Sequence, residues 1–257
     1  DSLGGVPNFF GYQRFGEKRP FSHVLGMYLI KGEYENFVKE LLKKGSKEDT
    51  IHENLILEEY PHIERRMILY LDENPGDFLG AVRKIPRSII RLCIHAYQSY
   101  LFNLFLSERI FKMGLPLNEA VEGDIVLQRD EYGIPIRYPY IVSRKMLEKV
   151  NKGIKEGKLS LAGPMVGYKT IFPENEWGEV IRERVRIDLK EHGFRNEELK
   201  IFARGSYREL LSEVFWTAPP KYSKVRGKVE LSFSLKRGCY ATTLIREFLK
   251  ESMFHQK

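Results

Sequence analysis

The chain has 257 residues, of which 42% are hydrophobic and 12% aromatic, enough for one large folded domain or two of ordinary size. Its 42 lysines and arginines exceed its 35 acidic residues and give a formal net charge of +7, which favours a polyanionic partner such as a nucleic acid. No apolar run is long enough to span a membrane, so we expect a cytoplasmic protein with no membrane partner.

The N-terminal half is predicted to be mainly helical. Residues 4–16 are rich in glycine and aromatic side chains, which indicates a loop or a short extended segment. A single helix is then predicted from a cap at Ser22 to about Lys44, and a second helix over about 62–69. The strongest helical pattern follows Pro86, where apolar residues on nearly every side of the helix predict a buried element.

The C-terminal half is predicted to mix strands and helices. In chain order, the predicted elements are a strand over 124–128, a turn over 130–133, a surface helix over 144–156, a loop over 163–167, a helix over 176–191, a strand over 228–235 and a helix from Thr242 or Thr243 to about 252. No internal repeat is present. The whole chain therefore has a mixed pattern of helices and strands.

Common catalytic and metal-binding motifs are absent from the sequence. There is no GxxxxGK[ST], HExxH, GxSxG or GxGxxG motif. The six histidines have no metal-ligand spacing, and the two cysteines, Cys93 and Cys239, do not form a CxxC pair. We therefore expect no metal and no cofactor, and Cys93 is predicted to be a small core residue in a reducing cytoplasm.

Three groups of basic residues are candidates for phosphate contacts. They are Arg83, Lys84, Arg87 and Arg91; Lys152, Lys155 and Lys158; and Lys221, Lys224, Arg226, Lys228, Lys236 and Arg237. The third group flanks a predicted strand beside a candidate site motif, so it is the strongest candidate of the three.

Three clusters of aromatic and polar residues remain as candidate sites. The first, NFFGYQRFG (8–16), combines rings that can stack on a pyrimidine with amides that can read its edge, although a packed aromatic turn has the same composition. In the second, RGCYATT (237–243), Tyr240 can project toward a ligand at the end of a strand or pack in the core. In the third, AYQSYLFN (96–103), Gln98, Ser99 and Asn103 lie on an otherwise apolar helix and are expected to bond neighbouring loops.

Together with the loop LAGPMVG (161–167) and the terminal SFSLKRGCYATTLIREFL (232–249), these clusters resemble the TruD family of tRNA pseudouridine synthases in its archaeal form. The resemblance implies an α+β fold. A catalytic domain with the pseudouridine-synthase mixed or antiparallel sheet (residues 1–33 and 215–257, partial here) would carry an inserted TruD-specific α/β domain (34–214). It also implies tRNA as the partner and no cofactor. The implied reaction isomerises uridine to pseudouridine, typically at position 13 of tRNA, by base flipping, glycosidic bond cleavage and reattachment through C5.

The resemblance further implies roles for individual residues. Asn8 and Phe10 match the family's site asparagine and pocket aromatic, and Tyr240 matches the ring placed against the target base. Residues with an implied supporting role are Gly11, Gln13, Arg14, Gly16 and Arg246. For Arg246 that role is an ion pair between helix and sheet, with a phosphate contact as a further role.

The family's nucleophilic aspartate lies in a GxKDxxAxTxQ-type segment upstream of the first motif, and these 257 residues contain no such segment. The aspartates of this chain are instead predicted to be caps, turns or surface charges; they are Asp49, Asp72, Asp77, Asp124, Asp130 and Asp188. No catalytic residue is therefore expected in this chain, which should be inactive alone. A further N-terminal segment, in cis or as a second polypeptide, is expected to supply the aspartate. The alternative is a non-catalytic RNA-binding protein that retains the cleft.

Overall fold

The protein, described from a computed structural model over residues 4–16, 20–43, 62–189, 201–223 and 227–249, has an α+β fold, as predicted. The helices are α1 (Ser22–Lys31), α2 (Tyr34–Leu42), α3 (His62–Glu73), α4 (Phe78–Arg83), α5 (Arg87–Ser107), α6 (Leu147–Lys155), α7 (Glu176–Leu189) and α8 (Ala241–Leu249). The strands are β1 (Gly5–Pro7), β2 (Ile125–Arg129), β3 (Pro135–Ile141), β4 (Leu159–Met165), β5 (Ser206–Glu209), β6 (Leu211–Ser223) and β7 (Lys228–Leu235).

The strands form two antiparallel sheets. One has the order β3-β2-β4-β5, and the other has the order β1-β6-β7, so that the two ends of the described chain meet in one sheet, with Val6 opposite Ser212. The predicted turn joins β2 to β3, and the Asp130 carboxylate accepts hydrogen bonds from the backbone of Tyr132 (3.0 Å) and Ile134 (2.8 Å). The predicted domain boundary between residues 214 and 215 falls inside β6, and the division into two domains stays a prediction.

Helix α5 forms the centre of the hydrophobic core, as its apolar sequence predicts. It begins directly after Pro86, and α1 packs along it. Cys93 on this helix is buried, and burial raises the pKa of its thiol to about 12, in keeping with its predicted role as a core residue. None of the helices in the described part of the chain is long and apolar enough to cross a membrane.

The single helix predicted from Ser22 to about Lys44 is wrong. The chain forms α1 and α2 instead, because Gly32 adopts the left-handed conformation (φ +71°) that ends α1. Ser22 is also not a cap: it is the first helical residue, and Phe21 before it makes no side-chain cap bond. Residue 44 lies outside the described ranges.

The predicted loop over 163–167 is wrong for residues 163–165, which complete strand β4; only residues 166 and 167 lie in a loop. Gly163 pairs with Arg208 and Pro164 with Tyr207 of β5. A Cβ atom at Gly163 would lie 3.0–3.2 Å from side chains of the core, among them Phe102 and Trp177. The glycine therefore serves close packing rather than a turn.

Arg109 and Asp124 form a buried ion pair next to the start of β2, since Asp124 directly precedes that strand. Two guanidinium nitrogens of Arg109 each donate to a carboxylate oxygen at 2.8 Å, and both side chains are at most 1% exposed. Arg109 also donates to the Pro116 carbonyl and lies over the Trp177 ring at 4.8 Å. The prediction that every aspartate is a cap, turn or surface charge is therefore wrong for Asp124.

Asp124→Asn is expected to lower the free energy of unfolding by about 3–5 kcal/mol, because it leaves the Arg109 cation buried without a counter-charge. Urea unfolding at neutral pH measures the change. Glu183→Gln is the control, since it removes an exposed pair with Arg186 on α7 and should leave the unfolding midpoint unchanged. Equal stability of the two variants would contradict a structural role for the buried pair.

Candidate functional site

The first motif, residues 8–16, is fixed to α5 by hydrogen bonds. The Phe10 amide donates to the Asn103 side-chain carbonyl at 2.8 Å, and the Asn103 side-chain amide donates back to the Phe10 carbonyl at 3.1 Å. Arg14 Nε donates to the Ser99 hydroxyl at 2.9 Å. Gln98 donates to the Val166 carbonyl at 2.7 Å. The prediction that the polar residues of α5 bond neighbouring segments is confirmed.

The two terminal motifs meet at the rings of Phe10 and Tyr240, called here the ring pair. The ring centroids lie 5.9 Å apart at an interplanar angle of 62°, and both rings are partly buried. A Cβ atom at Gly11 would lie 3.0 Å from Tyr240 and 2.9 Å from Thr242, so glycine permits this close approach. The Thr242 hydroxyl donates to the Gln13 side-chain carbonyl at 3.3 Å, which gives Gln13 a position between the motifs.

Asn8 is buried and positions Arg208 of strand β5. The Asn8 side-chain amide donates to the Glu209 carbonyl at 2.9 Å. Arg208 in turn donates through Nε to the Asn8 backbone carbonyl (2.9 Å) and through Nη2 to its side-chain oxygen (2.5 Å). This arrangement holds the guanidinium carbon 3.9 Å from the centroid of the Phe10 ring. Sequence reasoning missed Arg208, whose only signal is its position beside an acidic residue in a short strand.

Arg208 is a desolvated cation within the site. Its pKa is lowered to about 10, mainly by burial and to a smaller extent by Arg14, while Cys239, Tyr240 and Glu209 act in the opposite direction. The side chain is therefore still charged at neutral pH. The carboxylate of its chain neighbour Glu209 forms its ion pair with Arg129 of β2, at 2.7 Å, and not with Arg208.

Arg129 belongs to an ion-pair network that joins the two sheets. Besides Glu209, it pairs with Glu213 of β6, and Glu213 pairs with Lys236 at 2.7 Å. Lys236 also donates to the Gly133 carbonyl in the β2–β3 turn at 2.7 Å. Lys236 therefore acts within the fold, although the sequence places it among the candidate phosphate contacts.

The remaining predicted residues lie at the edge of the site. Gly16 ends the first motif with a φ of +116°. Arg246 of α8 lies over the Phe9 ring at 5.6 Å, and its carboxylate partner is Glu247 on the same helix at 4.0 Å. The expected ion pair between helix and sheet is therefore wrong for Arg246, because its partner is the next residue of its own helix.

The described aspartates do not take part in the site. Asp77 caps α4 by accepting from the Gly80 amide at 2.9 Å, and Asp130 forms the hairpin turn, so both predictions are confirmed. Asp49 and the side chain of Asp188 lie outside what the structure describes. Among the other aspartates, none has a hydrogen bond or ion pair with the ring pair or Arg208, and no group of three or more metal-ligating side chains occurs in the described residues. The arrangement can hold a planar, polar ring, but it contains no carboxylate placed to attack one.

Comparison with known proteins identifies the family. A sequence model of the family described as "tRNA pseudouridine synthase D (TruD)" matches residues 2–248. The chain is 35% identical to a curated protein of Methanosarcina mazei and 39% identical to one of Pyrococcus furiosus, both named "Probable tRNA pseudouridine synthase D", with 96% of the chain covered in each case. It therefore belongs to the TruD family.

The fold comparison agrees with the sequence comparison. A crystal structure from Methanosarcina mazei, described as "Putative tRNA pseudouridine synthase D (TruD)", superimposes with a TM-score of 0.83 at 34% identity over 97% of this chain. The match covers 62% of that protein, and 61% and 63% of the two curated relatives. The chain thus spans about three fifths of the length of the relatives it matches.

The free energy of unfolding is expected to fall as the pH drops from 7.5 to 5.5. Burial lowers the pKa of His23 and of His95 below the ordinary value of 6.5, and Arg14 lowers the pKa of His95 further. The unfolded chain therefore takes up protons in this range while the folded chain resists them, so stability is complete above about pH 6.5 and declines below it. Urea unfolding at several pH values measures the slope.

The double variant His23→Gln, His95→Gln provides the control. It removes both titrating groups and should have a flatter profile between pH 7.5 and 5.5 than the parent chain. The carboxylates with lowered pKa values, such as Glu213, contribute only at lower pH. An unchanged slope in the double variant would show that other groups cause the decline.

Proposed function

We propose that this chain forms the uridine-binding part of a tRNA pseudouridine synthase. In this proposal the enzyme isomerises uridine to pseudouridine in tRNA, with position 13 as the site, and acts in the cytoplasm. The observation that carries the proposal is the ring pair, in which the two terminal motifs of a TruD-family chain meet beside a desolvated arginine. The family match supports the reaction class.

The ring pair suits a base that has left its helix. Extruding a base from its stack costs a few kcal/mol, and stacking on an aromatic side chain returns about 1–3 kcal/mol per base. Phe10 is held from behind by Phe102, whose centroid lies 5.7 Å away, and on its backbone by Asn103. A rigid ring loses little entropy on binding, so more of the stacking energy is retained.

The nucleophilic aspartate is proposed to come from outside these 257 residues, on the same polypeptide or on a second one. Two observations support this. The described aspartates make their contacts away from the ring pair, and the relatives extend beyond the region that this chain matches. In this proposal the chain binds and orients the uridine, and the additional segment breaks the glycosidic bond.

Pseudouridine mapping tests the proposed reaction. The complete gene product is incubated with unmodified tRNA, and pseudouridine is located by carbodiimide labelling. We expect modification by the complete product, and tRNA binding without turnover by the 257-residue chain. If the complete product binds tRNA but forms no pseudouridine, the non-catalytic alternative is correct; turnover by the 257-residue chain would refute the external aspartate.

Tyr240→Ala is expected to weaken tRNA binding about 5- to 150-fold, the range that corresponds to a lost stacking contact of about 1–3 kcal/mol. Tyr240→Phe keeps the ring and should bind as the parent chain does. Phe111→Ala is the matched control, because that ring is 77% exposed and lies beyond the end of α5, away from the ring pair. Filter binding measures all three, and equal losses for Tyr240→Ala and Phe111→Ala would contradict the stacking role.

A further inference from the structure

Two arginines flank the same aromatic ring in the site. The guanidinium carbon of Arg208 lies 3.9 Å from the Phe10 centroid, and that of Arg14 lies 5.6 Å from it. The two cations are close enough for Arg14 to lower the pKa of Arg208. Two positive charges held near the same ring repel each other, and partial burial increases the repulsion because it reduces screening by water.

Neither arginine forms a direct ion pair with a carboxylate of the described residues. The hydrogen-bond acceptors of Arg208 are the two carbonyl oxygens of Asn8, and that of Arg14 is the Ser99 hydroxyl, all of which are uncharged. The Glu209 carboxylate next to Arg208 is bound by Arg129. Within the described ranges, Nη1 of Arg208 and the two terminal nitrogens of Arg14 have no hydrogen-bond partner. Desolvated charges in proteins are normally paired, so this pair of cations points to an anionic ligand.

The two guanidinium groups are accessible to a ligand beside the ring pair, since Arg14 and Arg208 are both only partly buried. The guanidinium carbon of Arg208 lies 6.0 Å from the centroid of the Tyr240 ring, so a group bound by Arg208 adjoins the ring that is proposed to contact the base. The two hydrogen bonds that Arg208 donates to Asn8 fix the orientation of the guanidinium group before a ligand binds, which reduces the entropy lost when an oxyanion binds.

We propose that Arg14 and Arg208 together bind a phosphodiester group of the RNA, namely one attached to the nucleotide whose base lies against the ring pair. A planar guanidinium matches the non-bridging oxygens of a phosphate, and a base held at Phe10 and Tyr240 brings its own phosphate into the same region. This inference rests on the proposed function and adds a second contact to it. Asn8 is then a positioning residue, which acts on the phosphate through Arg208.

Binding of uridine and of uridine 5′-monophosphate to the 257-residue chain tests the inference. By NMR titration, the parent chain should bind the nucleotide about tenfold more tightly than the nucleoside, the order expected for one charge-assisted hydrogen bond. Arg208→Met and Arg14→Met should each reduce the ratio of the two affinities toward one, because each removes a contact to the phosphate. Arg65→Met, which removes an exposed cation on α3, should keep the preference intact.

Salt dependence of tRNA binding gives a second measurement. Each lost phosphate contact should reduce the slope of log affinity against log salt by about 0.7–0.9, so Arg208→Met should have a shallower slope than Arg65→Met. Arg208→Lys keeps the charge, so it should keep the slope while losing part of the nucleotide preference. This conservative variant also separates the effect of the charge from the effect of the guanidinium shape. The unfolding transition of each variant shows whether that variant is folded.

The outcomes separate this inference from the proposed function. If uridine and its monophosphate bind equally to the parent chain, or if Arg208→Met, Arg14→Met and Arg65→Met behave alike, the phosphate site is refuted; a carboxylate from the rest of the protein then becomes the partner of the two arginines. If the complete gene product forms pseudouridine while the arginine variants behave like Arg65→Met, only the phosphate site fails. If the arginines select the nucleotide but the complete product forms no pseudouridine, the proposed reaction fails and the phosphate site stands.

Discussion

The structure depends on polar side chains along one face of an otherwise apolar helix. Ser99 of α5 is buried and Asn103 is half-buried, and both bond the first motif: Ser99 accepts from Arg14, and Asn103 exchanges two hydrogen bonds with the backbone of Phe10. A short segment with little regular structure is thereby held at a fixed position on the most buried element of the fold. These bonds fix the backbone on which the Phe10 ring is carried, since the regular structure of this segment is only the short strand β1 and one helical turn.

A second constraint joins the start of the described chain to its end. Strand β1 pairs with β6, and Asn8, just beyond β1, bonds both Glu209 and Arg208 of β5. Asn8 is thus a junction between the two sheets as well as the support for the arginine fork. An asparagine suits this position because its side chain both donates and accepts, whereas an aspartate could only accept and an alanine could do neither.

Much of the fold could be predicted from the sequence, because periodicity is a local signal. The long helix after Pro86, the β2–β3 hairpin and strand β7 each follow from patterns within about 20 residues. The predictions at Gly32 and Gly163 were wrong for the same reason. A glycine can end a helix, permit close packing or form a loop, and only tertiary contacts distinguish these uses. The ring pair could be expected from the family resemblance. Arg208 could not, since its importance comes from Asn8, Phe10 and Arg14, which lie about 200 residues away in the chain.

The pairing of the four-residue strand β5 determines which charged side chain lies beside the Phe10 ring. Its register, with Glu209 opposite Ala162 and Arg208 opposite Gly163, turns successive side chains to opposite sides of the sheet. On one side the Arg208 cation lies beside Phe10, and on the other the Glu209 carboxylate pairs with Arg129. A slip of one residue would exchange the two, setting a carboxylate against the aromatic ring and an arginine against another arginine. In the proposed function, the sign of the charge offered to a bound RNA is therefore decided by the hydrogen bonding between β4 and β5, and the pairing of these strands matters for binding as much as the residues that would touch the RNA.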